Sequence, residues 1–437
     1  MCVNRSLRVP IITTRRRSPS ARRAGLPARS ANWLGPALIA TAAWVVVFIF
    51  PGTAADVPPG APIRLGMSTV LSGPTAELGQ KMRDGVLAAL EEANRAGGVQ
   101  GRPLELIALD DGYEPTRTAP NMRELIEQRH VLAVVGNVGT PTAVAAIPIA
   151  MENRTPFYGA FSGAGVLRRT PPDRYVINYR ASYAEETAAM VDALTGPAGL
   201  RPEEIAFFTQ RDAYGDAGFN GGMAALKRHQ LKSETVVAHV RYERNTLAVE
   251  NALADLLLHR TAPRAVILVG AYAPCAAFIR LAKQNDFNAL FLNVSFVGSS
   301  SLAKALGSDG EGVIVTQVVP PVESSLPAVN DFRAAMRARG PEGAASFGSL
   351  EGYLSMRLFC RALRNIEGEL DREKVVDALE GLGAVDLGLG EPVRLSREEH
   401  QASHRVWATI VRGGRLVPLR WEELAPAHTA LAPAPLP

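Results

Sequence analysis

A serine set among small residues is the first group in this sequence whose type and setting suggest chemistry. Ser162 lies in YGAFSGAG, residues 158–165. A nucleophile elbow needs a glycine two residues before and two residues after its serine, but Ala160 and Ala164 occupy those positions. The stretch therefore fails the hydrolase pattern, and it predicts a hydroxyl that forms hydrogen bonds rather than a nucleophile.

Two other loops share this character, LSGPTAELG at 71–79 and GNVGTPTAV at 136–144, where Thr140 and Thr142 flank Pro141. Each follows a predicted strand and leads into a predicted helix, whose first N–H groups lack partners and carry partial positive charge. Glycines let a ligand approach the backbone. Any one loop is explained by helix capping alone, but three in one lobe favour binding of a carboxylate or another small polar group.

The remaining motifs point away from catalysis. The sequence has no G-x-G-x-x-G order at these loops and no G-x-x-x-x-G-K-[ST] motif. His400 and His404 have the spacing of a helical metal pair, but Gln401 stands where a metalloprotease needs glutamate, and the segment is polar enough to predict a solvated surface. We therefore expect no enzyme activity, no metal and no cofactor.

The basic residues are concentrated at the start of the chain. Eight of the 47 lysines and arginines precede Asp56, the first acidic residue, which leaves 39 basic and 43 acidic side chains in the rest. A body with this slightly negative balance has no electrostatic basis for binding nucleic acid. We therefore expect no nucleic-acid partner.

An apolar run from Ala37 to Phe50 follows the basic segment and ends in small residues up to Ala55. This order is typical of a secretory signal peptide, whereas a membrane span needs about 20 apolar residues. The sequence predicts a signal peptide over 1–55 and a periplasmic protein. An uncleaved anchor is the alternative, and the true start could lie downstream of Met1.

From Ile63 onward, short apolar runs alternate with longer amphipathic ones, which predicts α/β architecture with parallel sheets. One series covers 63–160, and a second follows the link at 174–183. Three further helices and a hairpin at Gly413 complete the pattern, giving two Rossmann-like lobes. Outside the signal segment the cysteines are Cys275 and Cys360, which lack metal or redox spacing, so we expect two free and mostly buried thiols.

The residues from Ile63 to Asp111 resemble the opening of the type I periplasmic solute-binding proteins of ABC transporters, in particular the leucine/isoleucine/valine-binding branch. The marks of this resemblance are Ser72-Gly73-Pro74, Gly79, Asn94, Gly97-Gly98, Gly101 and Asp110-Asp111. The similarity extends over about residues 62–420. It implies a two-lobed clamp with three crossovers, near Ala181, Val318 and Val385.

The resemblance also implies domain boundaries. Lobe 1 is expected at 62–181 plus 319–385 and lobe 2 at 182–318 plus 386–420, with a disordered tail at 421–437.

The resemblance further implies a ligand site between the lobes. Hydroxyls and backbone amides of the first lobe hold the ligand carboxylate, Leu78 lies against the ligand side chain, and two second-lobe tyrosines close over it. The expected ligand-binding residues are Leu78, Thr140, Pro141, Thr142, Phe161, Ser162, Gly163, Tyr214, Tyr272 and Ser295.

Ser295 marks a departure from the amino-acid-binding relatives. It falls where they carry the acidic residue that pairs with the ligand ammonium, and burying an unpaired ammonium is costly. Asp212 or Asp216 would have to replace that carboxylate. Leucine-like amino acids are therefore less favoured, and amides, carboxylates, aromatic acids and other small polar metabolites stay open.

The implied function is the extracytoplasmic solute-binding component of an ABC importer. It would capture a small amino acid, amide or organic acid by hinge closure and deliver it, as a monomer, to a permease in the inner membrane. The alternative is a sensor module coupled to a membrane signalling partner, and a periplasmic hydrolase ranks third.

Overall fold

The computed structural model describes residues 60–340 and 344–425. The predicted signal peptide over 1–55 and the end of the predicted tail lie outside these residues. Residues Trp421–Leu424, which the sequence assigned to the tail, form a short 3-10 helix with Leu424 buried. No helix among the described residues is long and apolar enough to cross a membrane.

The strands are short and are separated by helices along most of the chain. Their bounds are β1 Ile63–Thr69, β2 Leu104–Asp110, β3 Ala133–Val135, β4 Phe157–Tyr158, β5 Val176–Ile177, β6 Ile205–Gln210, β7 His239–Tyr242, β8 Ala265–Val269, β9 Leu290–Asn293, β10 Ile314–Gln317, β11 Gly383–Val385, β12 Val393–Leu395, β13 Trp407–Arg412 and β14 Arg415–Leu419.

The helices connect these strands and cover the sheets. Their bounds are α1 Ala76–Arg95, α2 Pro115–Arg123, α3 Thr140–Glu152, α4 Tyr183–Thr195, α5 Ala213–Arg228, α6 Glu250–Leu257, α7 Tyr272–Gln284, α8 Ser299–Leu306, α9 Pro327–Ala338, α10 Phe347–Arg364 and α11 Arg372–Glu380. A π-helical turn, Glu124–Gln128, continues α2.

Two main sheets form the cores of two lobes. The first is parallel throughout, in the order β2-β1-β3-β4-β5. The second has the order β14-β13-β10-β9-β8-β6-β7, and its parallel strands are extended at β10 by the antiparallel hairpin β13–β14. The predicted α/β fold with two Rossmann-like lobes is confirmed, and so is the predicted hairpin.

Helices α9, α10 and α11 follow β10 of the second sheet, yet α10 packs on α1 of the first lobe. This contact is close because glycines line it. A Cβ on Gly85 would lie 1.9 Å from the Ser349 carbonyl oxygen, and one on Gly352 would lie 2.4 Å from the Met82 carbonyl oxygen. The first lobe is therefore built from segments that are distant in sequence.

Two chain segments run side by side where the lobes meet. The Asn178 N–H donates to the His400 carbonyl at 2.7 Å, and the Ala402 N–H donates to the Asn178 carbonyl at 2.9 Å. Val385, near which the third crossover was predicted, lies in β11 of the small β11–β12 sheet. We infer that the third crossover runs through 400–403, since the chain rejoins the second sheet only at β13.

Several elements escaped prediction. Strands β5, β11 and β12 have two or three residues each, too few for alternation to be visible, and α8 begins in a serine run that reads as a turn. The apolar run TVVAHVRY at 235–242 predicts one strand from its pattern, but it begins as a 3-10 turn, Glu234–Val236, before β7. Cys275 and Cys360 are free and buried, as expected.

Candidate functional site

Two of the predicted contacts meet at the carboxyl edge of the first sheet. Strands β3 and β4 are parallel neighbours, so the loops that follow them lie together. The Phe161 N–H donates to the Asn137 carbonyl at 2.7 Å, which ties the loops to each other. As a result Thr140, at the start of α3, and Ser162 are both buried and their hydroxyl oxygens lie 2.8 Å apart. We call these two side chains the hydroxyl pair.

Tyr183 adds a third hydroxyl that the sequence did not identify. Its backbone N–H donates to the Gly163 carbonyl at 2.8 Å, which places the ring at the start of α4 against the Ser162 turn. The buried Tyr183 hydroxyl lies beside Ser162 but makes no well-formed hydrogen bond. Burial raises the pKa of Tyr183 to about 12, so the hydroxyl keeps its proton and can donate it.

The other residues of the α3 loop have structural roles. The Thr142 hydroxyl donates to the carbonyls of Val138 and Gly139, and Pro141 lies in the first turn of α3. Thr142 therefore does not point its hydroxyl toward the hydroxyl pair, and Pro141 contributes shape without a donor.

Gly139 fixes the start of α3. Its φ is 104°, and a Cβ there would lie 2.1 Å from the Tyr113 ring. We expect Gly139→Ala to lower the free energy of unfolding by about 2 kcal/mol, because left-handed strain and overpacking add. Gly165→Ala is the control, since a Cβ at Gly165 meets nothing within 4 Å. Urea unfolding of both variants measures the effect, and equal stabilities would contradict it.

Aromatic rings from both lobes pack together beside the hydroxyl pair. Phe296 lies 5.3 Å from Phe161, 4.7 Å from Tyr214 and 6.1 Å from Tyr113 between ring centroids, and Tyr183 lies 5.2 Å from Tyr214. We call these five rings the aromatic cluster. All are buried. Phe161 and Tyr214 were predicted site residues, whereas Phe296, which follows β9, was not.

Leu78 and Tyr272 both lie beside Gly298. The Tyr272 hydroxyl donates to the Pro74 carbonyl at 2.6 Å. A Cβ on Gly298 would lie 2.8 Å from a Leu78 methyl carbon and 3.2 Å from the Tyr272 ring. These two predicted residues therefore contact the facing lobe, and Leu78 lines a small pocket together with Phe161 and Ser295.

Ser295 belongs to a buried charge network that no sequence motif indicated. We define this network as Arg180, Glu186, Glu351, Ser295 and Thr316. The Glu186 carboxylate accepts from the Ser295 N–H at 2.7 Å, the Ser295 hydroxyl at 3.0 Å, the Thr316 hydroxyl at 2.6 Å and the Arg180 guanidinium at 3.0 Å. Arg180 also donates to Ser295.

The charge network contacts the aromatic cluster through Arg180. The Arg180 guanidinium is buried 5.2 Å from the Phe161 ring centroid and 5.6 Å from that of Tyr183, both cation–π distances. Glu351 lies 3.5 Å from Arg180. Burial raises the pKa of Glu351 to about 7, because Arg180 offsets its desolvation only in part and Glu186 repels its charge.

A groove with a volume of about 860 Å³ opens beside the hydroxyl pair and is lined by residues that include Thr140, Gly163, Arg168 and Glu185. Arg168 connects the Ser162 turn to the segment at Arg180, next to the expected first crossover near Ala181, since its guanidinium donates to the Ser162 carbonyl at 3.1 Å and to the Arg180 carbonyl at 2.9 Å. Of the hydroxyl pair, Thr140 lines this groove, whereas Ser162 lies behind it and is fully buried.

The histidine pair is not the solvated surface that its polar segment suggested. His400 is buried, with its ring against the Val176 carbonyl and Glu380, because 400–403 runs beside the chain at 178. His404 is half exposed, and its Nδ1 lies 2.6 Å from Glu185. Within residues 60–340 and 344–425 no group of three or more His, Cys, Asp or Glu side chains could hold a metal ion.

Comparisons with known proteins agree with this architecture. The family model described as periplasmic binding protein matches residues 62–415. A leucine-, isoleucine-, valine-, threonine- and alanine-binding protein from Pseudomonas aeruginosa is 25% identical over 330 residues, which cover 72% of this chain and 82% of that one. A Leu/Ile/Val-binding protein homolog from Brucella abortus is 26% identical over 76% of this chain and 84% of its own.

Solved structures are similar over the same region. A possible leucine/isoleucine/valine-binding protein from Rhodopirellula baltica is 54% identical, with a TM-score of 0.82 over 85% of this chain and 99% of that one. A fatty acid ABC transporter substrate-binding protein from Thermomonospora curvata has a TM-score of 0.74 at 21% identity, over 82% of this chain and 92% of that one, which shows a shared fold.

Proposed function

Because this chain belongs to the periplasmic binding protein family and has a solute-binding role, we propose that it captures a small polar ligand between its lobes and delivers it to an ABC permease. In this proposal the ligand is an amino acid, an amide or an organic acid. Residues 1–55 act as a cleaved signal peptide, and the mature protein works as a monomer. Members of this family bind substrates and do not convert them.

The observation that carries the proposal is the hydroxyl pair at the start of α3. Thr140 and Ser162 lie 2.8 Å apart, and the Tyr183 hydroxyl lies beside them with unused donor capacity. Because Pro141 has no N–H, the donors of the first turn of α3 are the N–H groups of Thr140 and Thr142, and the helix dipole makes this end positive. Together these groups suit a carboxylate or an amide oxygen.

Contacts between the two lobes supply the free energy for closure. The Tyr272 hydroxyl reaches the Pro74 carbonyl, and Glu114 accepts from Arg244 at 2.9 Å and from the Asn245 amide at 2.7 Å. Groups of both lobes also meet in the aromatic cluster. A ligand that fits between the lobes would shift an open–closed equilibrium toward this arrangement.

Loss of the Thr140 hydroxyl tests the proposal. Thermal-shift screening of the mature protein against amino acids, amides and organic acids would identify a ligand, and calorimetry would give its Kd. We expect Thr140→Val to raise that Kd about 10- to 100-fold, because a hydrogen bond to a charged group is lost. Ser162→Ala should act in the same direction, whereas Thr235→Val, at an exposed turn, should leave the Kd unchanged.

Two results would contradict the proposal. One is a ligand whose Kd is the same in the wild type, Thr140→Val and Ser162→Ala. The other is turnover of a bound compound that Ser162→Ala abolishes, which would make Ser162 a nucleophile.

A further inference from the structure

We infer that the ligand of this site is a carboxylate with an apolar body and no ammonium group. The inference rests on the proposed function, because it assigns the ligand of the same interlobe site. It follows from two observations around the hydroxyl pair and the aromatic cluster. Hydrogen-bond donors are still free there, whereas the nearby carboxylates already have partners.

The groups at the hydroxyl pair that are free to form further hydrogen bonds are donors. The unpaired Tyr183 hydroxyl keeps its proton, and the first turn of α3 presents N–H groups at the positive end of the helix dipole. An ammonium group placed here would meet partial positive charge and would find only hydroxyl oxygens as acceptors. A carboxylate would gain charge-assisted hydrogen bonds.

Glu186 is the first carboxylate to consider as an ammonium partner, because it contacts Ser295. Both of its oxygens, however, already accept hydrogen bonds. Each oxygen accepts two hydrogen bonds, from the Ser295 N–H and Thr316 on one side and from the Ser295 hydroxyl and Arg180 on the other. Arg180 also neutralises its charge. An ammonium could recruit Glu186 only by breaking this buried network.

Asp212 and Asp216, the substitutes considered from sequence, are also engaged. Asp212 accepts from the Tyr214 N–H at 3.0 Å, from Gln210 at 2.7 Å and from Arg244 at 3.2 Å. Asp216 pairs with Arg241 at 2.6 Å. Neither carboxylate is left as a free negative charge.

Glu185 lines the groove beside Thr140, but its oxygens already accept from Ser182 and Gln401 and face His404.

Glu351 and Glu77 are further carboxylates near the aromatic cluster. Glu351 lies on the first-lobe helix α10, where Arg180 is its neighbour. Glu77 is half-buried and lines a small pocket on the Leu78 side of the aromatic cluster, and the Lys81 side chain lines that same pocket. A cation bound near Glu77 would therefore also meet the Lys81 ammonium.

Aromatic faces are the last alternative partners for an ammonium. Arg180 already lies over the faces of Phe161 and Tyr183, so a second cation there would meet its repulsion. Phe296 and Tyr214 pack against each other at 4.7 Å with no cation of the described residues over either ring, and an aliphatic or aromatic body that entered between the lobes would take the place of this apolar contact.

Matched compounds that differ only in their charged groups test the inference. Calorimetry of the mature protein at pH 7 would compare leucine with 4-methylpentanoate and 3-methylbutylamine, and phenylalanine with 3-phenylpropanoate and 2-phenylethylamine. We expect the acid of at least one series to bind at least 30-fold more tightly than its amino acid, and both amines to give no binding heat. Glu77→Gln, the control variant, should not change this order.

The possible outcomes distinguish a wrong ligand class from a wrong proposed function. An amino acid that binds as tightly as its acid, and is lost in Thr140→Val, would overturn the ligand class and leave the clamp function intact. The same holds if none of the six compounds binds while a polar solute without a carboxylate binds through Thr140, or if Glu77→Gln abolishes binding of an amino acid. An acid whose Kd is unchanged in both Thr140→Val and Ser162→Ala would instead overturn the proposed function.

Discussion

Replacing Arg180 by methionine should lower the free energy of unfolding by about 3–5 kcal/mol, the cost of removing one partner of a buried ion pair. Arg180 and Glu186 have no exposed side-chain surface. Without the guanidinium, the Glu186 carboxylate keeps three neutral donors but loses the charge that compensates its desolvation. Urea unfolding with a shared m-value would measure the difference.

Two further variants make the Arg180 experiment specific. Arg129→Met removes an arginine whose pair with Glu124 is exposed at the surface, and it should cost no more than about 1 kcal/mol. Arg180→Met combined with Glu186→Gln should recover part of the lost stability, since Glu186 then no longer carries an uncompensated buried charge. An Arg180→Met protein as stable as Arg129→Met would contradict the role given to the network.

Replacing Glu351 by glutamine should change how stability depends on pH. Burial raises the pKa of Glu351 from 4.5 to about 7, so the folded state holds this proton more tightly than the unfolded chain. Its contribution is present below pH 4.5 and is lost as pH rises through 7, by about 3 kcal/mol in all. Glutamine does not titrate and should remove this loss.

The measurement is the free energy of unfolding of both proteins at pH 5 and at pH 8. The wild type should lose roughly 2–3 kcal/mol relative to Glu351→Gln between the two, because a small part of the loss already occurs below pH 5. Other groups titrate equally in both proteins, so the difference isolates Glu351 and its charged neighbours Arg180, Glu186 and Arg168. Parallel pH profiles would show that Glu351 keeps an ordinary pKa.

The sequence was most informative where the structure depends on local pattern. Alternating apolar runs predicted the βα units, and the rule that parallel strands end at one edge brought Thr140 and Ser162 together. Thr142 lies two residues from Thr140 and looks equivalent in sequence. Its hydroxyl is used by carbonyls of its own loop, a choice that only backbone geometry decides.

The charge network could not be read from the sequence because its members lie far apart along the chain. Arg180 falls in what appeared to be a link, Glu186 looks like any acidic residue in the first turn of a helix, and Ser295 is 109 residues further on. Only the fold brings them together. Phe296 was missed for the same reason, since its partners come from three separate loops and helices.

Small-angle X-ray scattering of the mature protein tests the central claim, ligand capture by closure of two lobes, most directly. The radius of gyration should fall when the solute with the lowest Kd saturates the wild type. Thr140→Val should need about 10- to 100-fold more solute for the same change. A solute that saturates the protein by calorimetry while the radius of gyration stays constant would contradict the clamp.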